Sequence, residues 1–286
     1  MIHYQQGQWE EALELFQNVS DTGNADAVLL LAMAMKKVDN VTGAITELAK
    51  HEKAYREEKG KPCPFTCVLL GNMFHEKAIS ASRLRRQCKG TGDNAAAQRH
   101  GVQESKYLDQ ALKQYMRALE VDKTLWNAIR GVGVIVAHKG STDIAQALLH
   151  KVKKYMSNAA AKIAVHLDLG HLSMDRALEV KSDLPQKPQI QQAIGFYRVA
   201  HRSDPTNPDV AMYYASALFH GAVAFNDVLL FKNCQVILND AMLLDPNNTR
   251  IRFNSATCLM RMAYHFLRDQ QKMQIEDHVN QAVGML

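Results

Sequence analysis

The side chains best suited to chemistry in this 286-residue chain are its five cysteines, its twelve histidines and one run of arginines. Cys63, Cys67 and His75 come nearest to a metal-ligand cluster, with Cys88 or His100 as the fourth donor. Structural zinc takes four such donors, usually in close pairs of fixed spacing. That spacing is missing here: Cys63 stands between Pro62 and Pro64, and Cys67 falls on the core side of an expected helix, where a free cysteine acts as a small hydrophobe. Gly131 and Gly133 form a GxG, but no strand pattern precedes them, so they read as a close approach of two helices and not as a phosphate cradle. HExxH, a nucleophile elbow and an arguable carboxylate pair are all absent. The expectation is a protein with no catalytic residue, no metal and no cofactor.

The arginine run has a different chemistry. Arg83, Arg85, Arg86, Lys89 and Arg99 face a single acid, Asp93, between positions 83 and 100, so much of the net charge of +5 is local. Such a segment can neutralise RNA or DNA phosphates. No aromatic residue is interleaved for base stacking, which weakens that reading, and a solvated insertion is the alternative. The odd, scattered cysteines suit a reducing compartment, cytosol or nucleus. No run approaches the roughly 18 apolar residues of a membrane span, so no membrane contact is expected.

The elements that would carry these residues are helices. Hydrophobic residues make up 47% of the chain and aromatics only 7%, with Gly and Pro sparse, a composition that favours helix over strand. A spacing of small, x3, aromatic, x2, small, x4, proline occurs at Ala193, Tyr197, Ala200 and Pro205. It is the second helix of a tetratricopeptide-type repeat: the small residues let paired helices approach to about 8–10 Å, the aromatic fills the gap, and proline ends the helix. The same register recurs at Ala12/Phe16/Val19, Ala44/Leu48, Ala111/Tyr115/Ala118, Ala145/Leu149/Val152 and Cys234/Leu238/Ala241. First helices match at Leu31/Ala32/Met35, Leu70/Gly71/Phe74, Val132/Gly133/Val136 and Leu169/Gly170.

The key small residues at 12, 44, 111, 145, 193 and 234 are separated by 32, 67, 34, 48 and 41 positions. Against a period of about 34 these intervals mark three insertions, near 79–105, 175–188 and 220–227. The fold class expected is therefore all-α: a tetratricopeptide-repeat, right-handed superhelical solenoid of about seven helix pairs over residues 1–286. Both ends lack a polar cap, Met1 falling within a first helix and the last segment stopping on Val283, Met285 and Leu286, so a fragment of a longer array is expected.

In such arrays the first helices line a concave face that binds peptide segments. The register places Leu29, Met33, Lys36 and Lys37 of the second repeat on that face, with Arg130, Val134 and His138 of the fourth. Leu167, His171, Met212, Ser216 and Phe219 follow in the fifth and sixth. The mixture is apolar with sparse cations, short of the dense clamp that holds a free C-terminal carboxylate. It suits an apolar peptide segment.

Three segments go further than the repeat: GVGVIVAHKG from Gly131 to Gly140, ASALF from Ala215 to Phe219, and RFNSATCLMRMAYHFLRD from Arg252 to Asp269. In order and interval they resemble the large tetratricopeptide subunit of the polymerase-associated factor (PAF) complex. Phe253, Asn254, Ala256, Leu259 and Ala263 meet that family's FNxAxxLxxxA pattern. The similarity covers roughly 108–280, and these motif positions read as packing residues. The resemblance implies a nuclear scaffold that binds fellow subunits, associates with transcribing RNA polymerase II and supports elongation and histone modification. An adaptor of another machine, in transport or chaperoning, is the alternative.

Overall fold

A computed structural model describes residues 9–20, 25–156, 159–179, 187–268 and 275–285. Thirteen helices occur among them, and no strand. α1 (Trp9–Ser20) is the second helix of the first repeat. The following pairs are α2 (Ala25–Lys37) with α3 (Val41–Lys59), α4 (Pro64–Gly90) with α5 (Asn94–Val121), and α6 (Trp126–His138) with α7 (Thr142–Tyr155). Then come α8 (Ala159–Glu179) with α9 (Lys187–Ser203), α10 (Pro208–Phe225) with α11 (Val228–Leu244), and α12 (Thr249–Arg268) with α13 (Ile275–Met285). The chain divides into two compact units, Met1–Leu148 and Leu149–Leu286.

Local sequence sets the helix ends. Asn40, Asp93, Asn207 and Asp227 each accept a hydrogen bond from a first-turn amide, satisfying donors that the helix leaves open. Pro64 and Pro208 stand in the first turns of α4 and α10, where a missing N–H costs nothing. Asn226 ends α10 in the left-handed region at φ 55, a conformation asparagine tolerates better than most residues.

Residues 79–105 form no loop excursion; they lengthen α4 and α5 to 27 and 28 residues and turn only at Thr91–Asp93, where Gly92 has φ 81. The basic segment thus belongs to a long helical hairpin. Of 175–188, the stretch 180–186 lies outside the described residues, as do Met1 to Gln8. Residues 220–225 continue α10.

Every described key position is buried: Ala12, Ala44, Ala111, Ala145, Ala193 and Cys234, and their partners Phe16, Leu48, Tyr115, Leu149, Tyr197 and Leu238. In the first unit Tyr115 of α5 is wedged between two glycines. A Cβ at Gly71 of α4 would stand 2.6 Å from its ring, and one at Gly131 of α6 would stand 2.5 Å away. Its hydroxyl donates to Asn72 Oδ1 at 2.8 Å. The second unit repeats the device: a Cβ at Gly170 of α8 would lie 2.6 Å from Tyr197 of α9, whose hydroxyl meets His171 Nδ1 at 2.7 Å. Gly131 is therefore a packing glycine. A buried charge adds to the first unit, where Glu52 of α3 takes Arg56 at 2.7 Å and Arg117 of α5.

These contacts predict that Gly71→Ala and Gly131→Ala each destabilise the first unit by about 1–3 kcal/mol through overpacking. Gly195→Ala, in open space on α9, is expected to be neutral or to stabilise by up to about 1 kcal/mol. Urea unfolding followed by circular dichroism separates the two classes.

Candidate protein-binding interface

Counting from the key small residue of each first helix, the positions three before and one, four and five after it share one helix face. On α2, Leu29 and Lys36 are half-buried, Met33 is 37% exposed and Lys37 is exposed. On α6, Arg130 and Val134 are half-buried and His138 is exposed. The structure brings these two sets onto α4, which contributes three residues not assigned from sequence: Asn72, His75 and Glu76. Lys36 Nζ lies 2.5 Å from Glu76 Oε1, and the His75 and His138 rings meet edge to face with centroids 5.2 Å apart. His75 was read only as a metal donor, although the register of Leu70, Gly71 and Phe74 already placed it here.

The electrostatics of this cluster follow from burial. His75 Nε2 is buried with no hydrogen-bond partner. Desolvation, with the neighbouring charges of His138, Arg130 and Lys36, holds the His75 imidazole down at about 4, against the opposing pull of Glu76. Cys67, one turn into α4, has its thiol pushed up to about 12 by burial and next by Glu52, so its thiolate is disfavoured. Among the described residues no group of three or more His, Cys, Asp or Glu side chains is placed to hold a metal ion. No helix among them is long and apolar enough to cross a membrane.

In the second unit the same face is more apolar. Leu167 packs on Tyr197 and its neighbours, His171 is engaged by Tyr197 and meets the Tyr213 ring at 4.6 Å, and Met212 is 5% exposed within the core. Ser216 is exposed and Phe219 half-buried, and both line a cleft of about 210 Å³ between α10 and α12. Its far wall is Phe253, Asn254 and Thr257, and His220 lies beside Phe219, its imidazole held below the ordinary histidine range by burial. Drug-sized ligands fill about 300–1,000 Å³, so this cleft matches a single large side chain. Phe253 is 64% exposed, whereas Ala256, Leu259 and Ala263 are buried. The motif reading of Phe253 and Asn254 as packing residues is corrected by that exposure. Met260 and Tyr264, 59% and 63% exposed, continue the stripe along α12.

The arginine run sits on the hairpin. Arg83, Arg86 and Lys89 are exposed at intervals of three on one side of α4, and Arg99 is exposed on α5. Arg85 is set apart, its Nε 3.2 Å from Glu104 Oε2 across the hairpin.

A face of first helices backed by small-residue and aromatic contacts from second helices defines a tetratricopeptide-repeat solenoid fold. Solved structures agree on the fold. The Pseudomonas aeruginosa pilF protein superposes with a TM-score of 0.56 at 15% identity, over 96% of this chain and 90% of that one. A tetratricopeptide-repeat protein of Thermus thermophilus superposes at 0.53 with 20% identity, over 75% and 93%. No family model matches the chain. In sequence, it is similar to the RNA polymerase-associated protein CTR9 of Caenorhabditis elegans, 25% identical over 208 residues, or 72% of this chain. Those residues span 15% of that relative's length.

The buried imidazole gives a pH test. His75 takes up a proton at about 6.5 when unfolded and at about 4 when folded, so the unfolded state binds more protons between those values. Stability is full above about pH 6.5 and falls as the pH drops toward 4, by at most about 3 kcal/mol from this group. His75→Leu is expected to flatten that part of the stability profile, measured by urea unfolding between those pH values.

Proposed function

We propose that this chain is a protein-binding scaffold segment of a PAF-type transcription elongation assembly, nuclear, associated indirectly with RNA polymerase II and with chromatin modification, and without catalytic activity of its own. The observation that carries the reading is the similarity to the RNA polymerase-associated protein CTR9 along 208 residues. The order of the GVGVIVAHKG, ASALF and RFNSATCLMRMAYHFLRD segments supports it from within the sequence. The first-helix faces supply the means. Phe253 and Phe219 seat an apolar side chain of a fellow subunit, while Ser216, Asn254 and Thr257 offer polar groups to its backbone. Nucleic acid has no necessary part in this reading.

The test is affinity purification of the tagged chain from the cells that produce it. Polymerase and elongation subunits are expected to copurify, and their complete absence would contradict the proposal. Phe253→Ser combined with Met260→Ser, both at exposed positions, is expected to reduce that recovery about tenfold, the scale of a lost interface anchor, while leaving the melting temperature within a few degrees.

A further inference from the structure

The outward side chains of α12 form a seam. Phe253, Thr257, Met260 and Tyr264 recur at intervals of four, three and four, the spacing that turns one side of a helix toward a neighbouring helix. Phe253, Met260 and Tyr264 are exposed and Thr257 is half-buried. Across the cleft, Tyr213, Ser216, His220 and Val223 of α10 follow at three, four and three, all exposed except the half-buried His220. Single exposed apolar residues need no explanation, but two such seams in phase on facing helices mark an interaction surface. Charge on this surface is one-sided. α12 carries four arginines and no Asp or Glu, and the one acid of α10 is Asp209 in its first turn. Arg250 and Arg261, both exposed, stand eleven residues apart on the same side of the seam. The helix dipole favours acids in a first turn, so it does not account for Arg250 or Arg252 there. Aromatic, Met and Arg side chains with few acids are the composition of protein interfaces.

We infer that the α10 and α12 seams receive an acidic amphipathic helix of a partner protein, its apolar stripe on Phe253 and Met260 and its carboxylates against Arg250 and Arg261. The inference rests on the proposal that first-helix faces receive protein, and adds the partner's secondary structure and charge. Spacing selects a helix. Phe253 and Met260 stand about 10.5 Å apart along α12, two turns of any helix laid beside it. Same-side residues of an extended chain recur about every 7 Å and fall out of step with that interval. Charge complementarity selects acidic flanks over basic ones. A single-stranded nucleic acid stacks successive bases on successive rings. Phe253 and Tyr264 do not provide that, since they stand about 16 Å apart along α12 with Met260 between them.

Fluorescence anisotropy on the full chain tests this with labelled helical peptides of about 18 residues. The first carries leucine along one stripe and glutamate beside it, the second has lysine for each glutamate, and the third exchanges central leucines with glutamates to break the stripe. The first is expected to bind most tightly and to weaken as salt rises, and the broken stripe to bind about tenfold more weakly. Arg250→Glu combined with Arg261→Glu is expected to weaken the acidic peptide about tenfold and to tighten the lysine peptide about threefold. A gain of affinity cannot come from misfolding. The inference is overturned by any of four results: no binding of the acidic peptide up to about 1 mM, equal binding of the intact and broken stripes, an unchanged preference in the double variant, or tighter binding of a single-stranded RNA of about 20 nucleotides. The measurement needs no native assembly, so its failure is distinct from a failure to recover polymerase.

Discussion

The structure depends on how closely neighbouring helices can approach. Tyr115 fills the space between α4 and α6 only because Gly71 and Gly131 present no side chain to its ring, and Tyr197 meets Gly170 in the same way. Pressed against both glycines, the Tyr115 ring constrains the approach of α4, α5 and α6 at once. The ring hydroxyls reach Asn72 in one unit and His171 in the other. Those two partners lie on the first-helix faces, so the packing device also positions the surface that would meet a partner.

Electrostatics follow from the same geometry. Within the first unit, Glu52 is buried between Arg56 and Arg117, joining α3 to α5 on the side of the second helices. On the side of the first helices, α2, α4 and α6 gather Lys36, Glu76, His75, Arg130 and His138 into one cluster. The Glu52 network ties second helices together, whereas the first-helix cluster lies beside the aliphatic side chains of Met33 and Val134. In the second unit the cleft is lined by Phe219, Ser216, Phe253 and Thr257, with no lysine or arginine among the cleft residues. The two units offer surfaces of different chemistry built on one register.

Most of the fold was legible because small residues recurring at fixed offsets have few other uses, and Ala44, Ala111, Ala193 and their counterparts proved buried. The first-helix face was legible in part. Lys36, Arg130, Ser216 and Phe219 followed from the register, but His75 was drawn toward metal chemistry by its neighbouring cysteines, and Phe253 was absorbed into a lineage motif. Carrying the same offsets through every first helix would have assigned both. The long hairpin was not legible as helix, since Arg83 to Arg99 contains no core-facing repeat signature and reads as an insertion. Its helicity comes from pairing, as in the burial of Ala81 and Ala97 and the bridge from Arg85 to Glu104. Met212 fell on a groove position yet is buried, packed in the core cluster that α10 shares with α11 and α12.

The central claim is that first-helix faces, and not second-helix faces, receive the partner. Hydrogen–deuterium exchange on the chain alone and within its purified native assembly measures this directly. The account predicts that peptides of α2, α4, α6, α10 and α12 gain protection in the assembly while those of α3, α9 and α11 stay unchanged. Protection confined to α3, α9 and α11 would contradict it.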